Sequence, residues 1–424
     1  MVKLIESPFT IRNLARFIAR IRNDDISNTK ADYELAASEI LKKIDAGTVF
    51  YNGFVDFKLK KNIVLTYTTE DAKVASKLII RNLELNARIK QPNRSEIISA
   101  LLSSLQDGTP YRAHRYDIKS FYESISRAAV ITMLEDESLC SLKTLNLIKI
   151  LFKALDAIGI KGLPRGLDIS AYLSEIYLRH FDAKLRRLEH VNFYARFVDD
   201  IIVLTSNDKA EETTNHVKEL LSDDLTLHDY GKRSDIEISK SEIIGHDEYV
   251  KEKFKTLNYL GYEFKIFNTY LLNNDFRLKR KVEVEISNNK VKKIKSRLFS
   301  SLLSYCSSDR KFSDYELLEK RLKALTGNYE INSSGTNVII KTGIYFNYHH
   351  RTPKPNCRLA ELDRTFLRAL FSRTHPLFKR ISTSLLPHEK RQLAGFSFLK
   401  GYDNITYYSF SYKELKKIRM HWNK

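Results

Sequence analysis

Tyr194-Ala195-Arg196-Phe197-Val198-Asp199-Asp200-Ile201-Ile202-Val203-Leu204 places two adjacent carboxylates between apolar residues that read as β-strand on both sides. A buried charge is costly without a partner, so two side by side in an apolar setting ask for a cation. A polar hairpin turn whose aspartates cap their own backbone would also write such a pair. It would not account for Asp117, which sits in a similar strand, Ala113-His114-Arg115-Tyr116-Asp117-Ile118, about eighty residues upstream.

Between the two strands the chain breaks at Lys161-Gly162-Leu163-Pro164-Arg165-Gly166 and then enters an amphipathic helix, with Ile169, Leu173, Ile176, Tyr177 and Phe181 at helical spacing. A glycine loop opening a helix turns backbone N–H groups forward, a field that suits phosphate, although a plain tight turn has the same composition. Acceptor-only carboxylates suit Mg²⁺, which binds through a few carboxylates, substrate phosphates and water. Two such ions can clamp the attacking and leaving oxygens of an in-line phosphoryl displacement.

The whole chain fits a polyanionic partner. Its 424 residues hold 71 Lys and Arg against 52 Asp and Glu, a formal charge of +19, and nucleic acid is the first expectation. No apolar run approaches the roughly 18 residues of a transmembrane helix, and Met1-Val2-Lys3-Leu4-Ile5-Glu6 has no signal-peptide core. A cytoplasmic protein without membrane contact is expected. Cys140, Cys306 and Cys357 are too scattered for a metal site or a disulfide framework.

Outward from the centre, residues 8–46 carry helical spacing, and Thr48 to Thr66 reads as strand, from Val49-Phe50-Tyr51 to a basic hairpin with Lys58, Lys60 and Lys61. Ala72 to Ile89 and Arg94 to Leu105 read as helices, and Leu257 to Phe264 as a strand pair bent at Gly261. Arg277 to Arg297 holds nine basic and two acidic residues and is expected as a basic helix. Gly343 to Arg351 interleaves aromatic and basic side chains, a composition that fits base stacking and a packed core alike.

Tyr116-Asp117-Ile118-Lys119-Ser120-Phe121-Tyr122, Gly162-Leu163-Pro164-Arg165-Gly166 and Phe197-Val198-Asp199-Asp200, in this order, resemble the first three palm motifs of the reverse transcriptases. Lys232 or Lys240 and Leu260-Gly261-Tyr262 resemble the later two. The wording Phe121-Tyr122-Glu123-Ser124-Ile125, Leu163-Pro164-Arg165-Gly166-Leu167 and Leu173-Ser174-Glu175 is similar to the bacterial unknown-group and abortive-infection enzymes of antiphage defence.

The resemblance implies an α+β fold, a right-hand polymerase palm and fingers of antiparallel sheet with helices, followed by a mainly helical thumb and C-terminal region. The expected segments are 1–45 N-terminal helices, 46–270 fingers and palm, and 271–424 basic thumb and extension. Asp117, Asp199 and Asp200 become catalytic metal ligands with the Ile118 carbonyl, holding two Mg²⁺, with Mn²⁺ as a substitute. Tyr122 falls at the sugar gate that favours deoxynucleotides. Arg165, Gly166, Lys58, Lys61 and Lys240 become nucleotide contacts, with Arg165 where retroelement enzymes usually carry Gln, and Lys290, Lys292 and Lys293 nucleic-acid contacts. The implied partners are dNTPs, a non-coding RNA template, the DNA product, and a companion defence protein or a second copy of the chain. Template-independent or protein-primed synthesis would use the same site. A catalytically silent RNA-binding scaffold would not require all three aspartates.

Overall fold

The computed structural model describes residues 6–22, 29–59, 62–206, 210–228, 234–238, 254–272, 278–332 and 339–422. The chain divides into two compact units, Met1–Ser241 with Ser334–Asn337, and Glu242–Ser333 with Val338–Lys424. The boundary expected near residue 270 lies inside a strand of the second unit.

The first unit runs α1 (Ile11–Arg22), α2 (Lys30–Asp45), β1 (Phe54–Leu59), β2 (Asn62–Tyr67), α3 (Glu70–Asn86), α4 (Arg94–Leu105), β3 (Tyr111–Asp117), α5 (Phe121–Ser124), α6 (Arg127–Asp136), α7 (Leu142–Ala157), α8 (Asp168–Arg186), β4 (Val191–Phe197), β5 (Asp200–Thr205), α9 (Ala210–Leu220) and β6 (Ser234–Ile238). Helices α2, α3, α4, α6 and α7 start where the sequence supplies oxygen caps: Thr29, Thr69, Asn93, Ser126 and Ser141 each accept a first-turn backbone N–H. Strands β4-β5-β3-β6 form one antiparallel sheet.

Period-two alternation sorts β3. Tyr116 and His114 are buried, whereas Arg115 and Asp117 on the other face are partly open. On the buried face the Tyr116 hydroxyl meets Thr214 of α9 at 3.1 Å. The core beneath the sheet is filled by Ile176, Phe181, Ile201 and Val203 together with α3 and α7. Val49-Phe50-Tyr51, expected as strand, lies in turns. The run is cut short by Asn52 at φ +51° followed by Gly53, which leaves Val49 and Phe50 as buried anchors ahead of β1.

The second unit runs β7 (Phe254–Tyr259), β8 (Tyr262–Leu272), β9 (Leu278–Ile286), α10 (Asn288–Cys306), α11 (Phe312–Thr326), β10 (Asn328–Asn332), β11 (Ile339–Gly343), α12 (Ile344–Tyr348), α13 (Arg358–Phe371), α14 (Phe378–Ser384), α15 (Pro387–Leu393), α16 (Phe398–Asp403) and α17 (Tyr412–Met420). The basic stretch expected as one helix is a strand and a helix. Arg280, Val282, Val284 and Ile286 recur every second residue and are buried, a strand period, and the helix begins only after Ser287. Beyond that three-stranded sheet and the small β10–β11 hairpin, the C-terminal region is helical.

Candidate active site

Register brings the aspartates together. Asp117, the last residue of β3, pairs with Asp200, the first of β5, and Phe197 pairs with Asp200 on the other side. Val198 and Asp199 form the two-residue turn between β4 and β5, with Val198 at φ +61°. A left-handed conformation is a true outlier for a β-branched residue. The turn is pinned to β3 through the Ile118 N–H, which donates to the Asp199 carbonyl at 3.1 Å. In an extended chain a residue's N–H and C=O point the same way, so the Ile118 carbonyl faces the Asp199 turn.

The three carboxylates are not equivalent. Asp200 takes a two-pronged pair from Arg115, Nε to Oδ1 at 2.8 Å and Nη2 to Oδ2 at 3.0 Å. Asp117 lies 3.6 Å from His228 Nε2, and the His228 N–H donates to the Asp117 carbonyl at 2.8 Å. Burial first, and then the charges of Asp117 and Asp200, push the Asp199 carboxyl above the usual carboxylate range, against the pull of Arg165. With Asp200 turned to Arg115, no three His, Cys, Asp or Glu side chains among the described residues form a ready-made cation cage. The like-charge crowding at Asp199 is nonetheless the condition a divalent cation relieves, and the donors are the hard oxygens Mg²⁺ prefers.

The loop before α8 packs backbone to backbone against α5 and β2. A Cβ on Gly162, at φ +61°, would meet the Glu123 carbonyl oxygen at 2.3 Å, and one on Gly166, at φ +96°, would meet the Leu65 carbonyl oxygen at 2.3 Å. The Leu65 N–H donates to the Arg165 carbonyl at 2.8 Å, so β2 and the loop are stitched together. Arg127 clamps the same loop through the Gly162 and Ile160 carbonyls, each at 2.5 Å.

Arg165 itself forms a two-pronged pair with Glu123, and its guanidinium lies 5.8 Å from the centre of the Tyr122 ring. Tyr122 is half-buried. Burial, followed by the charges of Asp199 and Glu175, pushes its phenol up. At the start of α8 the Tyr67 hydroxyl sits between Asp168 Oδ1, at 2.8 Å, and Ser76 Oγ, at 2.6 Å, and Lys77 pairs with Asp168 at 2.6 Å.

Under the turn lies a buried ion cluster that sequence reading missed. Arg196 of β4 pairs with Glu175 and Asp182 of α8. Burial pushes the Glu175 carboxyl up in spite of Arg196. The available signal was the seven-residue spacing of Glu175 and Asp182, which puts two acids on one face of an apolar helix. Arg115 and His228 were missed for want of the strand register.

Of the other predicted residues, Lys58 is exposed on β1 opposite Ile63. Lys61 and Lys240 lie outside the described residues. Lys290, Lys292 and Lys293 are exposed on α10 of the second unit.

Residues 60–264 match the family model described as reverse transcriptase (RNA-dependent DNA polymerase). No curated protein matches the sequence. Among solved structures the chain is similar to apo telomerase from Candida tropicalis truncated from its C-terminal domain, at 15% identity and a TM-score of 0.31 over 51% of this chain and 46% of that one. The match thus spans less than half the telomerase chain. No helix among the described residues is long and apolar enough to cross a membrane. The span that matches this family model holds Asp117, the Gly162–Gly166 loop and the Asp199-Asp200 turn.

Proposed function

We propose that the chain makes DNA from deoxynucleotides on an RNA template by metal-assisted nucleotidyl transfer at the β3–β5 strand ends. The observation that carries this reading is the register pairing of Asp117 with Asp200, which sets Asp199 among like charges inside the span that matches the reverse transcriptase family model. Asp117 and Asp199 are the principal cation ligands, with the Ile118 carbonyl beside them, while Asp200 is shared with Arg115. Mg²⁺ bound there, or Mn²⁺ in its place and two ions in the full site, supplies Lewis-acid stabilisation of the attacking and leaving oxygens.

The chain's own groups do the rest. Tyr122 crowds the 2′ position of an incoming nucleotide, the Arg165–Gly166 loop supports it from the α8 side, and Lys58 and Lys61 meet phosphate. Lys290, Lys292 and Lys293 track the duplex backbone. Residues 46–270 act as fingers and palm and 271–424 as thumb and extension. An antiphage role, with a non-coding RNA and a companion protein or second copy, rests on the motif wording at Phe121–Ile125, Leu163–Leu167 and Leu173–Glu175.

The test is incorporation of labelled dNTPs by purified protein with its co-purifying RNA, in Mg²⁺ and in EDTA, followed by sequencing of the product. DNA complementary to the co-purified RNA supports templated copying. Product of fixed composition unrelated to any RNA present overturns it in favour of untemplated synthesis, and a protein-linked 5′ end identifies a protein primer.

A further inference from the structure

The turn that carries Asp199 is held from below by a saturated arginine. The Arg196 side chain is 2% exposed. Its Nε donates to Asp182 Oδ1 at 2.9 Å, and Nη2 to Asp182 Oδ2 at 2.8 Å and Glu175 Oε2 at 2.6 Å. Nη1 donates to Glu175 Oε1 and to the Val198 carbonyl, each at 3.0 Å. All five N–H bonds of the guanidinium are therefore used, four on α8 and one on the turn. The single bond to the turn falls on the residue whose backbone is least at ease, since Val198 is β-branched and left-handed.

Two carboxylates on one helix fix the guanidinium in place and orientation. The fixed guanidinium fixes the Val198 carbonyl, and so the direction in which the next residue, Asp199, leaves the strand. Lysine cannot replace this geometry, because its three donors radiate from a single point.

We propose that Arg196 is a positioning residue: anchored by Glu175 and Asp182, it holds the left-handed Val198 turn and so sets how tightly Asp199 and Asp117 take a divalent cation. The inference rests on the polymerase reading for its kinetic consequence, but not for its binding consequence.

The experiment measures Mn²⁺ binding to the full chain by electron paramagnetic resonance, with Asp199→Asn identifying the hairpin site. It also measures the Mg²⁺ concentration for half-maximal incorporation and the KM for dNTP at saturating Mg²⁺. For Arg196→Lys, the Mn²⁺ dissociation constant and the Mg²⁺ requirement are expected to rise about tenfold, the scale of one left-handed β-branched residue released from its restraint, with KM for dNTP unchanged. Adding Val198→Gly, which removes the conformational penalty at its source, should recover much of that loss.

Wild-type Mn²⁺ affinity in a folded Arg196→Lys protein overturns the proposal, as does a loss that Val198→Gly does not relieve. If Arg196→Lys fails to fold, Asp182→Asn, which keeps the shape and loosens one anchor, must show a smaller shift relieved in the same way, and its absence is equally decisive. Should the wild type bind Mn²⁺ at the hairpin yet incorporate nothing, the polymerase reading fails while the Mn²⁺ constants still decide the role of Arg196.

Discussion

The hairpin that carries Asp199 and the helix α10 that carries Lys290, Lys292 and Lys293 are both dense in charge, and they hold it in opposite ways. Around the hairpin the charges are partly or fully buried and are tied by register and fork geometry, Arg115 to Asp200 and Arg196 to Glu175 and Asp182. On α10 the three lysines are exposed, whereas Val291, Ile294 and Leu298 are buried. Ordered charge can do chemistry that depends on ångströms, whereas an exposed row contributes mainly field strength to a polyanion. Substitutions in the two regions should therefore differ in kind, the first altering rate and selectivity and the second altering salt dependence.

The largest effect is expected from Asp117→Asn or Asp199→Asn, each removing a ligand charge while keeping shape. Incorporation should fall by at least about 10³-fold, the range of several kcal/mol that metal-held transition-state charge supplies. Asp200→Asn should be milder, because Asp200 is shared with Arg115. Single-turnover rates at saturating Mg²⁺ measure all three, and equal losses would show that the Arg115 pair opens during the reaction.

Next comes Gly166→Ala. The added methyl would meet the Leu65 carbonyl oxygen at 2.3 Å and Val64 Cγ1 at 2.6 Å, and φ is +96°. Either the loop or β2 must shift by about an ångström, and misplacement on that scale costs roughly 10²-fold in rate. A variant with the wild-type rate would mean that the loop and β2 do not meet during catalysis.

The comparison also explains what could be read in advance. Asp117, Asp199 and the glycine loop were legible because each lies in a local pattern: a strand of period two ending in a carboxylate, and two glycines before a helix. Arg196 stood inside the stretch that decides the fold, but its partners are 14 and 21 residues away on another element. Only packing reveals that one guanidinium is shared between two carboxylates there. Charge counting was the weaker guide, since the nine basic residues of 277–297 hid the alternation of Arg280, Val282, Val284 and Ile286. The two-unit division likewise depends on which sheet β8 joins, and local composition does not carry that information.

A smaller effect, on selectivity, tests whether Tyr122 serves the site or merely the core. Its ring packs on Phe121 at 5.1 Å, under the Arg165 guanidinium. Tyr122→Ala should lower the preference for dNTP over rNTP by about tenfold or more, the scale of removing bulk from a specificity pocket. The ratio of kcat/KM values for the two nucleotides decides, and an unchanged ratio makes Tyr122 a packing residue.

For the exposed row on α10, neutralising Lys290, Lys292 and Lys293 together to Gln should leave the single-turnover rate intact. It should reduce the slope of log affinity against log salt by roughly two to three, at about 0.9 for each duplex phosphate no longer neutralised. A reduced rate with an unchanged slope would invert the comparison, giving α10 an ordered role.

The smallest effect is on stability and follows from the crowding at Asp199. Its carboxyl is raised by burial first and then by Asp117 and Asp200, so the folded protein binds that proton more tightly than the unfolded chain does. Stability from this group is then present at low pH, falls as pH rises from the ordinary carboxylate value of about 3.9 through the raised folded value, and stays lower above it. Asp199→Asn deletes the penalty, so in EDTA at pH 8 the variant should melt above the wild type, with the gain disappearing towards pH 4. Saturating Mg²⁺ should reverse the order, since the wild type gains RT ln(1 + [L]/Kd) from a ligand that the variant binds poorly. Thermal unfolding of both proteins at the two pH values, with and without Mg²⁺, reads all four differences. A wild type more stable than Asp199→Asn in EDTA at pH 8 would show that Arg165 and the turn backbone already compensate the crowding at Asp199, leaving no unrelieved charge to draw a cation in.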